Sequence, residues 1–255
     1  MRSKRAKISL NWTLVSTFNM ISLYLFEAIE DVMQLDSLVD GNLDEILSRE
    51  FKTISEDICR MLATEGKSIV PYLPGLPYYS KLPTAGKKQV VETLRFYQEL
   101  CHSQLAEGYR INDSLSFTWR AFRRLGLVPR AELFSHMVDE DIVEIYSEDH
   151  IQLFRNFTFF DFCSYTLEEL HTNEWWALFE RDEEITTKII EEVRKVFSEE
   201  VRETFAPDIP KHVLREIRSA ERLCQSMEIR RMSPLYRNRK VAAVIVLEKV
   251  EMLQN

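Results

Sequence analysis

The sequence predicts an α+β protein, with a helical domain over 1–137 followed by a domain of antiparallel strands and short helices over 138–255. Two changes of pattern carry this reading. Apolar residues recur at helical spacing through the first half, whereas strand-like runs, 142–146 and 240–250, belong to the second. All six glycines lie at or before Gly126, and aromatic and β-branched residues become dense after Met137.

The first half reads as successive helices. Arg2, Lys4, Arg5 and Lys7 precede an apolar stretch from Ile8 to Phe26. Asn11, Thr13, Ser16, Thr17, Asn19 and Ser22 interrupt it and no small-x-small cleavage site follows, so it reads as a buried first helix within 10–35. No membrane span is expected, and the cytoplasm is the expected compartment. Over 44–62, Ile46, Leu47, Phe51, Ile54, Ile58, Met61 and Leu62 share one helical face. Four prolines and a glycine in 70–83 exclude a helix there, and the tyrosines and leucines of that stretch suit packing along a surface. Val90, Val91, Leu94, Tyr97, Leu100 and Cys101 mark a helix over 86–107. A shorter one over 113–125 stops at Gly126, with Leu115, Trp119, Phe122 and Leu125 as its core face.

The second half opens with a hairpin, 142–146 and 151–157 around the turn 147–150. Thr166 with Glu169 three residues on is a capping box opening a short helix, and 174–179 forms another short element. Ile185, Ile189, Val193, Val196, Phe197 and Val201 line one face of a long helix over 182–205, closed by Pro207 and Pro210. Residues 213–219 fit a strand or a helical turn. The tight turn Arg237-Asn238-Arg239 joins 223–236 to 240–250 as a terminal hairpin.

This order of elements, together with Phe159-Phe-Asp-Phe-Cys-Ser-Tyr-Thr-Leu-Glu-Glu-Leu170, resembles the PAS domain over 138–252. Tyr165, Glu168, Glu169 and Leu170 match the family's segment as they stand, and Ser164 replaces its usual glycine. The 223–250 hairpin resembles the family's last two strands. The resemblance implies a five-stranded antiparallel sheet with a helical side, and association as a homodimer or with a protein partner through flanking helices or the sheet face. It implies a ligand pocket for which Phe154, Phe160, Cys163, Trp176, Phe179, Ile189 and Val193 are the candidates. The same side chains also suit a plain apolar core, their commoner role.

No cofactor is required by the sequence. A small apolar ligand needs only a lined cavity, and haem needs an axial ligand, for which His171 lies nearest. Flavin-adduct chemistry is disfavoured because the asparagine-cysteine-arginine segment it needs is absent. There is no phosphate-binding glycine loop, no G-x-S-x-G elbow and no H-E-x-x-H. The five histidines are widely separated, so neither a catalytic nor a metal site is expected. Cys59, Cys101, Cys163 and Cys224 are far apart and read as reduced thiols.

The expected function is therefore a non-enzymatic regulatory or signalling protein. Its PAS-like domain senses a small ligand or mediates protein–protein interaction, and its helical half serves as output or dimerisation region. An enzyme of unrecognised class is one alternative. The other is a DNA-binding regulator using Arg120, Arg123 and Arg124 on the 113–125 helix, or the 211–240 segment with nine basic residues against three glutamates. A net charge of -8 disfavours nucleic acid, and helix 182–205 lies in an acidic stretch that the basic strands complement.

Overall fold

The computed structural model describes residues 37–73, 78–217, 219 and 221–253. The helix expected over 10–35 lies outside them. Residues Leu47–Asn255 pack as one compact unit, and a separate unit ends at Ile46. In chain order the helices are α1 (Ser37–Thr64), α2 (Thr84–Ala106), α3 (Ser114–Leu125), α4 (Leu167–Thr172), α5 (Trp175–Leu178) and α6 (Glu183–Phe197). The strands are β1 (Val128–Pro129), β2 (Ile142–Tyr146), β3 (Gln152–Arg155), β4 (Phe179–Glu180), β5 (His212–Glu216), β6 (Cys224–Arg237) and β7 (Lys240–Met252).

The helical face expected on α1 is buried from Leu47 onward, through Phe51, Ile54, Ile58, Met61 and Leu62, whereas Ile46 is exposed. The described parts of the proline-rich connection between α1 and α2 lie against α4. The Val70 and Pro71 carbonyls accept hydrogen bonds from the Leu167 and Glu168 amides at 3.0 and 2.9 Å, and the Tyr79 amide donates to Glu168 Oε1 at 2.8 Å. Helix α3 starts at an Asp113 cap and ends at a left-handed Gly126, φ 65°. Its buried face is Phe117, Thr118, Ala121 and Phe122, while Leu115 and Trp119, expected inside, are 44% and 46% exposed. Trp119 instead lies edge-on to Phe134.

The capping box at the start of α4 forms as read. Thr166 accepts from the Glu169 amide at 3.1 Å, and Glu169 Oε2 accepts from the Thr166 amide at 2.8 Å. Helix α6 stops at Phe197 rather than 205. Glu199 adopts a left-handed φ of 59° and the Val201 amide turns back onto the Lys195 carbonyl at 3.2 Å. Phe205 is then free to bridge to Met232 of β6.

The sheet is antiparallel throughout, in the order β3-β2-β7-β6-β5-β4, with β1 beside β6. It therefore has seven strands rather than five. The two additions, β1 and β4, are two residues long, too short to carry a period of two. Strand β7 is buried on both faces. Ala243, Ile245 and Leu247 meet the core shared with α1–α3, while Val244, Val246 and Val250 point to the opposite side, covered by α4–α6. This is why its sequence runs apolar without alternation. Strand β5, with Val213 and Arg215 outward and Leu214 buried, alternates instead. Among the described residues no helix is long and apolar enough to cross a membrane.

The β6–β7 turn is made by Asn238 and Arg239, both left-handed at φ 52° and 66°, the backbone of a two-residue hairpin turn that favours Asn-Gly. Arginine is strained there, and its side chain is exposed. Arg239→Gly is expected to stabilise the protein by about 0.5–1 kcal/mol, read as a higher denaturant midpoint at an unchanged m-value.

Candidate functional site

Strand alternation places Glu144 of β2, Glu248 of β7 and Arg155 of β3 on the face covered by α4–α6, because Glu144 pairs with Arg155 and Val246, and Ile142 with Glu248. Each is under 9% exposed. They divide the apolar packing of that face. Ile142, Met227 and Val250 lie in one cluster, and Ile229, Val244 and Val246 in another.

Arg155 is the centre of the arrangement. Its Nε donates to Glu144 Oε1, its guanidinium lies 3.9 Å from the centroid of the Phe159 ring, and its amide donates to the Tyr97 hydroxyl of α2 at 2.7 Å. Tyr146 donates its hydroxyl to Glu144 Oε2, and Gln152 Nε2 reaches both Glu144 Oε1 at 3.3 Å and the Tyr146 oxygen at 3.0 Å. Glu144 is thus fully bonded. Glu248 differs: its buried Oε2 has no hydrogen-bond partner. Burial, and then the Glu144 charge, hold its carboxyl well above the ordinary range.

Between this polar group and α6 lies a cavity of about 50 Å³. Glu144, Tyr146, His150, Arg181 and Glu248 supply its polar side; Ile189 and Val193 of α6, with Ile229, Met232 and Val246 of the sheet, supply the apolar side. At 10–15 Å³ per water it holds about four waters, far less than a haem or flavin needs.

Of the sequence candidates, Ile189 and Val193 line this cavity. Phe154 faces away from it, in the core shared with α1–α3, and Phe160, Cys163 and Phe179 pack against the Ile142 cluster. Trp176 is 52% exposed. His171 packs against Tyr97, ring centroids 5.4 Å apart, and burial followed by the Arg155 charge pushes its pKa down to about 4. The aromatic segment 159–170 works as a tie: Tyr165 donates to the Leu178 carbonyl and accepts from the Ile217 amide at 3.1 Å, and Ser164 donates through amide and hydroxyl to Glu216, both at 2.7 Å.

Glu144, Arg155 and Glu248 were not singled out from sequence. The available signal was an acidic residue inside each of two apolar strands, Ile-Val-Glu-Ile-Tyr and Val-Leu-Glu-Lys-Val. Among the described residues no group of three or more His, Cys, Asp or Glu side chains is placed to hold a metal. Burial pushes the Cys59 and Cys163 thiols up to about 12 and raises Cys101 as well, which leaves all three poor nucleophiles at neutral pH.

Several of the basic residues proposed for DNA are engaged within the chain. Arg120 forms a two-point pair with Glu107 at 2.5 and 2.6 Å, and Arg124 pairs with Glu99. Arg230 pairs with Asp141, Lys211 with Glu251 at 2.6 Å, and Arg237 donates to the Leu125 carbonyl at 2.6 Å. These partners are not on the acidic helix α6. The chain matches no protein-family model, and no curated protein is similar enough to match it.

Removing one member of the Arg155–Glu144 pair leaves a buried charge uncompensated, so Arg155→Ala is expected to cost about 3–5 kcal/mol in urea unfolding. Arg155→Met combined with Glu144→Met is expected to recover most of that loss. A second outcome concerns pH. A carboxyl raised in the folded state contributes fully below its unfolded value of about 4.3 and loses that contribution as pH rises through the folded value. Stability is therefore expected to fall as pH rises above about 4.3 more steeply in the unmodified protein than in Glu248→Gln. The groups facing Glu248 (Glu144, Tyr146, His150, Arg155 and Arg181) are common to both, so the difference between the two curves isolates it. His171 runs the other way in both, contributing above about 6.5 and losing that contribution as pH falls toward about 4.

Proposed function

We propose that this chain is a non-enzymatic regulatory protein in which 138–252 acts as a PAS-like sensing module and the helical residues before it serve as output or dimerisation region. One observation carries the reading. The β2–β3 hairpin and the β5–β7 strands, far apart in sequence, share a single antiparallel sheet, and the helices between them cover one face above a small cavity with an unsatisfied buried carboxyl. Element order, the 159–170 segment and the terminal hairpin all support it. Buried groups lacking partners are costly to stability; Glu248, whose Oε2 lacks one, lines the cavity. A site that receives a small molecule gives such groups a use.

The module works in the cytoplasm, as a homodimer or against a protein partner. DNA binding is the weaker reading, because Arg120, Arg124, Arg230 and Lys211 already have acidic partners within the chain.

Ligand-observed NMR of the full chain against a mixed panel of small organic compounds tests the proposal, alongside a duplex-DNA titration at two salt concentrations. Sensing predicts a saturable binder lost on Val193→Phe, which fills the cavity from α6. A salt-dependent DNA complex without any such binder transfers the function to the DNA reading. A monomeric chain that binds neither removes the sensing proposal.

A further inference from the structure

We infer that the cavity beneath α6 takes a compact neutral molecule with an amide-like donor–acceptor head, gripped by the side chain of Glu248, and a short alkyl tail. This rests on the reading of 138–252 as a sensing module and adds the chemical class of what it senses.

Three observations narrow the class. The first is demand. Both oxygens of Glu144 are already occupied by Arg155, Gln152 and Tyr146, so Glu144 asks nothing of a ligand. Glu248 is 4% exposed, lines the cavity, and has an Oε2 atom with no partner among protein groups. An unmet hydrogen-bonding group at that depth is satisfied only by something that enters the cavity.

The second is charge. Charges of both signs line the site, the guanidinium of Arg181 and the carboxyl groups of Glu144 and Glu248, so a cation meets the first and an anion the others. Neither sign is favoured. A neutral head avoids both, and a primary amide suits a carboxyl group in either protonation state. The protonated acid donates its O–H to the amide carbonyl while accepting an amide N–H, and the carboxylate accepts N–H bonds alone.

The third is shape. The rest of the lining is apolar, with Ile189 and Val193 from α6 and Ile229 and Met232 from β6. Space for about four waters corresponds to a ligand of about four or five non-hydrogen atoms, in the size range of propanamide. Such a ligand leaves α6 seated, and displacement of the cavity's water by its alkyl tail adds apolar contact.

The test uses the full chain labelled with ¹³C on isoleucine, valine and methionine methyls, titrated separately with propanamide, propanoate and propylammonium. The expected result is saturable, millimolar binding of propanamide reported by Ile189, Val193, Ile229 and Met232, about tenfold or more tighter than either charged probe, the scale of one hydrogen bond to a buried partner. Glu248→Leu, which removes the head's partner, is expected to weaken propanamide by a similar factor of about ten, while Glu248→Gln, which keeps a neutral donor–acceptor pair, stays within about threefold. Tighter binding of propanoate or propylammonium overturns the neutral class and leaves the sensing pocket standing. Binding of propanamide that ignores Glu248→Leu overturns the role of Glu248. If no probe moves these methyls and Glu248→Leu is more stable than the unmodified protein, the cavity is a packing void, and the ligand class falls together with the sensing role of this site. Should Glu248→Leu fail to fold, the comparison of probes still decides the ligand class, and Glu248→Ala, which also removes the head's partner, replaces it in the test of Glu248.

Discussion

Arg155 is the residue on which the three layers of the compact unit depend. Its amide holds the Tyr97 hydroxyl of α2 on one side of the sheet, and its guanidinium pairs with Glu144 and covers Phe159 on the other. A guanidinium this deeply buried persists only with a carboxylate beside it. The neighbouring Asn156 makes an equivalent stitch in neutral form, accepting from the Val143 amide at 3.1 Å and donating to Ser114 at 2.6 Å and to the Asp141 carbonyl at 2.8 Å. Together they fix the start of α3 and the β2–β3 hairpin in one register.

That polar centre has a cost on the face it occupies. Where Val143, Ile145, Ala243, Ile245 and Leu247 form an unbroken apolar surface against α1–α3, the opposite face is split into two clusters by Glu144, Arg155 and Glu248. Helix α6 cannot close over charged side chains as tightly as over valines, and the cavity lies where it spans them. Stability and the candidate site therefore oppose each other on this face. The side that carries most of the core is the apolar one, and the side with the site carries the buried carboxyl that lacks a partner.

Much of the fold was legible in local pattern. The capping box at Thr166, the strand 142–146 and the hairpin turn at Asn238–Arg239 each depend on neighbours within a few residues. The candidate site was legible only in part. Ile189 and Val193 were found because they belong to the strong apolar face of α6. Phe154 was misdirected because strand alternation says which residues share a face but not which layer that face meets. Trp176 was drawn in by its size, although a four-residue helix has no turn to spare for burying it. Glu144 and Glu248 were passed over as single charges, and their importance appears only when β2 and β7 lie side by side.

By itself the sequence determined the α+β character, the positions of the main described helices and of strands β2, β3, β6 and β7, and the distribution of charge, since these follow from short-range periodicity and backbone preference. The tertiary structure decided the strand order, the additional strands β1 and β4, the end of α6 at Phe197, and the meeting of Glu144 with Arg155 and Glu248. Those outcomes depend on contacts between residues about ten to one hundred positions apart, and no local pattern encodes which apolar face will cover which.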